Sequence, residues 1–383
     1  MVALNNNYFR IKNLNCPISL QKGNQTANTT DSSIPQKPAT IKSKLPNYWG
    51  RDLVSFGQNN LRLSGHDLKL IQDLQIPNSP EELATLKRGL LFRPNNVSKP
   101  IEESLKEKIK NVTVKTADGK ELKSWYIPPK EKGGMTILYC HGNASPLAGM
   151  QDIAQQIADL NNEFGIGGLM LEYRGYGENK DLGIFKEKKD IYKDVEGGFN
   201  FLKNEGTPEK NIVSWGLSLG GVPATEIAAK HNGIRGLILE SALGDNNKIF
   251  QGHAFLDFLK KTSALSEEEV KLIEKSPNAD KIIDFLSKSE FFHYKPVAKM
   301  PKTGGIPTLI IHSGKNDIII PQTMAENFCT LSPNKKSEIS PENLKDGAVT
   351  ELHISEGGNH RFMDKSSQAR LRNFLVSLLP AAS

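Results

Sequence analysis

Cysteine is scarce: the 383 residues hold three, Cys16, Cys140 and Cys329. They form no Cys-x-x-Cys pair and no metal-ligand spacing, which excludes a disulfide-stapled scaffold and a zinc module. An odd, sparse count suits a reducing compartment. Long apolar runs are missing too. The longest uncharged apolar stretch, Phe164 to Leu171, has eight residues, against about twenty for a membrane-spanning helix, so no transmembrane segment is expected. The opening Met-Val-Ala-Leu-Asn-Asn-Asn lacks an apolar h-region, so no classical signal peptide is expected. Charge of one sign is absent from most of the chain. Residues 1–50 hold six basic side chains and one acidic, whereas the remaining 333 hold 43 basic and 42 acidic. That near-neutral bulk argues against a nucleic-acid partner. With 37% hydrophobic residues the chain has material for a real core, which excludes wholesale disorder.

What is present falls into three parts. Residues 1–45, rich in Asn, Thr, Ser, Gln and Lys, read as a disordered polar and basic leader. Its charge offers weak contact with an anionic partner or a membrane; the blander reading is a solvated tail. Residues 46–110 read as an N-terminal extension packed on the core, with a helix start at Pro80-Glu81-Glu82 and a helix over Ile101–Ile109. From residue 111 the pattern sharpens. Apolar runs flank Ala117-Asp118-Gly119-Lys120 as in a β-hairpin. Short buried-strand runs then alternate with helical stretches. The strands are Thr136–Cys140, Gly168–Glu172, Ile212–Trp215, Gly236–Glu240, Thr308–His312 and Glu351–Ser355. The pattern predicts an α/β domain over 111–383, a mostly parallel sheet with helices on both faces. One insertion at about 245–305 carries helical apolar spacing and reads as a helical cap.

The chemistry-bearing residues sit at strand ends. Gly216-Leu217-Ser218-Leu219-Gly220-Gly221 follows the strand at 212–215 and opens a helical run. G-x-S-x-G is weak alone, but at a strand-to-helix elbow it presents a serine nucleophile, with glycines giving strand and helix room to approach. His141-Gly142-Asn143-Ala144 follows the strand at 136–140. There the backbone N–H of Asn143, together with that of Leu219, would form an oxyanion hole. His141 reads as a loop-shaping residue. The order Ser, Asp, His then picks Asp317, just past Thr308–His312, and His360, just past Glu351–Ser355. His312 and His353 are rivals, but both lie inside strands. Tyr173-Arg174-Gly175-Tyr176-Gly177 reads as a structural segment with Arg174 paired inside the fold. Phe250, Phe255, Phe258, Phe291 and Phe292 either line an acyl pocket or glue the cap to the core. Cys140 is a buried strand residue.

These motifs, with Leu237-Ile238-Leu239-Glu240-Ser241, resemble the α/β-hydrolase superfamily, and within it abhydrolase-domain serine hydrolases related to serine aminopeptidases and acyl-protein thioesterases. The resemblance covers roughly 112–380 apart from the cap. It implies an α/β-hydrolase fold and a catalytic serine hydrolysing a carboxylic ester or thioester through an acyl-enzyme. The substrate would be a small or lipid-like acyl compound or an acylated protein, with no metal and no organic cofactor required. The chain departs from the pattern at Glu172, where these relatives often have Asp, and in its longer, more charged cap. Peptidase, amidase and acyltransferase chemistries use the same groups. A non-catalytic hydrolase-fold binding protein would normally carry a damaged triad. A dinucleotide enzyme is disfavoured, because Gly165-Ile166-Gly167-Gly168 precedes a strand and opens no helix. The chain, rich in Asn and Lys, resembles effector-type hydrolases that bacterial pathogens deliver by specialised secretion; a cytoplasmic enzyme fits equally well.

Overall fold

The computed structural model of the chain describes residues 18–20, 92, 100–143, 145–245, 250–262, 265–288, 293–332 and 349–379. The strands are β1 (Ile18–Leu20), β2 (Lys110–Lys115), β3 (Glu121–Ile127), β4 (Thr136–Cys140), β5 (Gly167–Leu171), β6 (Ile212–Leu217), β7 (Gly236–Glu240), β8 (Thr308–His312) and β9 (Thr350–Ile354). They form one sheet in the order β1-β9-β8-β7-β6-β4-β5-β3-β2. From β1 to β5 every pairing is parallel; β5–β3 and β3–β2 are antiparallel. The helices are α1 (Glu103–Lys106), α2 (Gln151–Phe164), α3 (Asp190–Asn204), α4 (Gly221–Lys230), α5 (Gly252–Lys261), α6 (Glu267–Glu274), α7 (Ala279–Ser287), α8 (Gln322–Leu331) and α9 (Lys365–Ser377).

The sheet is covered on both faces, as its continuous apolar strands require. Alternate residues of one strand feed two separate cores. In β4, Ile137 and Tyr139 join a cluster with Ile153 and Ile157 of α2 and Leu371 and Phe374 of α9. Leu138 and Cys140 point the other way, toward Val195 and Phe199 of α3 and Val222 and Ile227 of α4. β7 repeats the pattern, with Ile238 on one face and Leu237 and Leu239 on the other. Tyr139 stacks edge-on against Trp215, whose indole N–H donates to the buried Glu240 carboxyl at 3.0 Å. Burial holds that carboxyl proton far above the usual range, to about 8, against the opposing pull of the indole hydrogen bond.

Several expectations need adjustment. The helix expected over 101–109 is a single turn, because the extended run of β2 begins at Lys110. β5 ends at Leu171, one residue early, so Glu172 belongs to the following loop. Within the leader, Ile18–Leu20 pairs with Leu352–Ile354 as a parallel edge strand; the rest of 1–45 lies outside the described residues, as does Pro80-Glu81-Glu82. From 46–110, Phe92 is buried edge-on against Phe185, and Leu105 joins the α2 core. Cys140 is buried and free, but Cys329 on α8 is disulfide-bonded. No helix among the described residues is long and apolar enough to cross a membrane.

Between β7 and β8 the insertion folds into α5, α6 and α7. A capping box starts α6: Ser266 Oγ accepts the Glu269 N–H, and the Glu269 carboxylate accepts the Ser266 N–H. Phe255, Leu256 and Leu259 of α5, Ile273 of α6 and Ile282, Ile283 and Leu286 of α7 share one continuous apolar core with the sheet. The cap is therefore fastened to the domain by burial.

Candidate active site

The chain runs from β4 to β5 on one side and then to β6 on the other, which makes a topological switch point between β4 and β6. Loops leaving the carboxyl ends of two such strands part there and leave a crevice. The elbow after β6 occupies it. Ser218 has φ 52°, in the left-handed region that a non-glycine residue rarely enters. The glycines beside it are required by close approach. A Cβ on Gly216 would lie 2.6 Å from the Gly220 carbonyl carbon, and one on Gly220 would lie 2.8 Å from the His141 oxygen. Pro223 falls in the first turn of α4, where the missing N–H does no harm. The Leu243 N–H donates to Ser218 O at 2.9 Å and ties the elbow to the loop after β7.

Ser218, His360 and Asp317, from three separate loops, come together. Ser218 Oγ lies 3.0 Å from His360 Nε2. His360 Nδ1 lies 3.0 and 2.9 Å from the two Asp317 oxygens. Asp317 also accepts the N–H groups of Ile319 and Ile320, at 3.0 and 2.8 Å. Burial pushes the Asp317 carboxyl up, but the His360 hydrogen bond and charge, with the Ile320 N–H and His312, outweigh it and hold the proton affinity below the ordinary range. The His360 loop is shaped by Asn359, whose Oδ1 accepts the N–H groups of Arg361 and Phe362. Ser313 Oγ donates to Asn359 O at 2.9 Å.

The rival histidines are elsewhere. His312 is fully buried behind Asp317, its Nε2 3.0 Å from Ile320 O and 3.5 Å from Asp317 Oδ2, so it backs the carboxylate and does not reach Ser218. His353 lies 3.3 Å from Ser366 Oγ. His141 is buried beneath its loop, Nδ1 2.8 Å from Gly142 O, and burial lowers its proton affinity to about 4.

An apolar cleft opens at Ser218. Asn143 and Leu219 both line it, as do Leu243, Phe258, Thr262, Ile319 and Ile320. A Cβ on Gly142 would lie 3.4 Å from the Ser218 Cβ, so the loop after β4 abuts the elbow. Of the phenylalanines named from sequence that are among the described residues, Phe258 is on the cleft wall and Phe250 stands edge-on behind it at 5.2 Å. Phe255 is a correction: it is wholly buried in the core that cap and sheet share. Phe291 and Phe292 lie outside the described residues. Sequence reasoning missed Thr262, Ile319 and Ile320. The apolar run Ile318-Ile319-Ile320 directly after Asp317 was the available signal for the last two. Arg174 does pair inside the fold, with Asp194 at 2.7 Å and Asp118 at 2.7 and 2.9 Å, joining the β2–β3 turn to α3.

A mostly parallel sheet with a positive-φ serine at the elbow after a central strand defines an α/β hydrolase of the serine-hydrolase type. The sequence pattern of the serine aminopeptidase, S33, family matches residues 132–342, and the chain belongs to that family. Alpha/beta hydrolase domain-containing protein 17B of Homo sapiens is 25% identical over 215 residues, covering 56% of this chain and 61% of that protein. Alpha/beta hydrolase domain-containing protein aho-3 of Caenorhabditis elegans is 30% identical over 118 residues, covering 30% of this chain and 33% of that protein. The chain thus spans between a third and three-fifths of these relatives' lengths. Among solved structures, the Pyrococcus furiosus esterase Pf2001 superposes with a TM-score of 0.53 at 16% identity, covering 76% of this chain and 98% of the esterase. At that identity the likeness speaks for the fold.

Proposed function

We propose that this chain hydrolyses carboxylic esters or thioesters of apolar acyl groups, with Ser218 as nucleophile, His360 as general base and Asp317 orienting the imidazole. One observation carries the reading: the unbroken line Ser218 Oγ, His360 Nε2, His360 Nδ1, Asp317, each step about 3 Å, at the floor of an apolar cleft.

The steps follow from that line. As Ser218 Oγ bonds the carbonyl carbon, its proton passes to His360 Nε2 and the carbonyl π pair moves onto oxygen. Asp317, held ionised by its partners, stabilises the imidazolium. The oxyanion is held by the backbone N–H groups of Asn143 and Leu219, each worth about 10²–10³ in rate. Collapse reforms the carbonyl and expels alkoxide or thiolate, which takes the proton from Nε2. Water then gives a proton to Nε2 as it attacks the acyl-enzyme, and a second collapse returns that proton to Ser218 and frees the acid. The wall of Leu243, Phe258 and Ile319 favours an alkyl chain, because each buried CH₂ contributes about 0.8 kcal/mol.

A second reading, amide hydrolysis by the same groups, is favoured by the matched family's description as serine aminopeptidases. A series of p-nitrophenyl esters from acetate to decanoate, the matching thioesters and an aminoacyl anilide separates the two. The ester reading expects kcat/KM to rise with chain length and exceed that for the anilide. Anilide cleavage without ester or thioester cleavage would overturn it.

A further inference from the structure

We propose that Tyr176 is a positioning residue for the oxyanion loop, acting through the Asn143 side chain; this rests on the reading of Asn143 as an oxyanion donor. The loop after β4 is tied to the segment after β5 by several contacts. The Tyr176 hydroxyl donates to Asn143 Oδ1 at 2.8 Å. The Tyr173 hydroxyl donates to His141 O at 3.1 Å, and the Tyr173 N–H donates to His141 Nε2 at 3.4 Å. With Nε2 accepting, the neutral imidazole carries its proton on Nδ1 and donates to Gly142 O at 2.8 Å. The ring of His141 lies 4.0 Å from that of Tyr173 and 5.1 Å from that of Tyr176. Further along, the Leu147 N–H donates to the Glu172 carboxyl at 3.2 and 3.4 Å, and Glu172 Oε1 lies 3.5 Å from His141 Nε2. Glu172 thus holds the Leu147 flank of the loop.

Within this frame Tyr176 has a distinct place. Its ring is wholly buried, packed against His141, Tyr173 and Phe185. A buried phenol usually finds a hydrogen-bond partner. Tyr176 finds one in a side chain of the loop that lines the cleft. Gly177 lets the backbone pass close to Glu172: a Cβ there would stand 2.8 Å from the Glu172 carboxyl carbon. The hydroxyl aligns a donor whose value depends on where it points when charge develops, so its loss should lower kcat and leave ground-state binding alone.

The test is a double-mutant cycle on p-nitrophenyl butyrate with wild type, Tyr176→Phe, Asn143→Ala and the double variant, thermal melts alongside. Tyr176→Phe keeps the ring and removes only the hydroxyl. The expected result is about a tenfold fall in kcat with KM within twofold. In the Asn143→Ala background, Tyr176→Phe should lower kcat less than twofold further, because the partner is already gone. Should Tyr176→Phe fail to fold, Asn143→Ala breaks the same bond from the cleft side and is expected to show the same fall. Unchanged kcat in a folded Tyr176→Phe, or effects that multiply in the double variant, would overturn the positioning role while leaving the hydrolase reading intact. A folded wild type with no turnover would sink the hydrolase reading and this role with it.

Discussion

Gly220→Ala isolates what the elbow demands of the sequence. Gly220 has an ordinary φ of −61°, so alanine strains no backbone angle there. The obstacle is space. The new Cβ would lie 2.6 Å from the Cys140 carbonyl carbon and 2.8 Å from the His141 oxygen, both backbone atoms that no rotamer change can move. Relief requires the end of β4 and the start of α4 to part by roughly 1 Å. Such overpacking typically costs about 1–3 kcal/mol. The displaced segment is the loop proposed to hold the oxyanion, and a shift of about 1 Å at reacting groups costs about 10² in rate. Gly149→Ala is the control: its Cβ would meet nothing nearer than a Pro146 ring carbon at 4.0 Å. kcat/KM on a p-nitrophenyl ester and the urea midpoint read both effects. A Gly220→Ala enzyme within threefold of wild type in activity, and within about 0.5 kcal/mol in stability, would refute the close-approach reasoning.

Three further outcomes are expected. Asp317→Asn should lower kcat by about 10³–10⁴ with the fold intact, because the amide can set the wrong imidazole tautomer; steady-state kinetics with a circular dichroism check reads this. Phe258→Ala should lower kcat/KM for octanoyl esters by about tenfold or more and barely change that for acetyl esters, since the lost wall is worth about 1.5–3 kcal/mol to a long chain. Burial raises the Glu240 proton affinity to about 8. Between the ordinary glutamate range and pH 8 the folded chain therefore keeps a proton that the unfolded chain has lost, and stability falls as pH rises through that window. Glu240→Gln retains an acceptor for Trp215 and removes the titration, so urea midpoints at pH 5.5 and 9 should differ less in the variant than in wild type. The buried Glu172, also raised to about 8, leaves a residual slope.

The central strands were legible because their character is local. Thr136–Cys140, Gly236–Glu240 and Thr308–His312 are short apolar runs bounded by turn residues, and they form at those bounds. The elbow was legible because close approach leaves glycine little alternative at 216 and 220. Asp317 and His360 followed from chain order and from their places just past strand ends. What stayed hidden was tertiary. Nothing local to Ile18–Leu20 marks it as an edge strand, since three residues show no alternation and the partner lies more than three hundred residues away. Phe255 and Phe258 share helical spacing, and only the packing of α5 tells which one meets the cleft. The Tyr176 hydroxyl bond to Asn143 spans 33 positions and leaves no mark in either segment.

The most direct test of the central claim is active-site labelling by a fluorophosphonate, with the modified peptide mapped by mass spectrometry in wild type, Ser218→Ala and His360→Ala. The account predicts one labelled residue, Ser218, in wild type, no label in Ser218→Ala and at least a hundredfold slower labelling in His360→Ala. A folded wild type that takes no label, or takes it equally fast without His360, would contradict it.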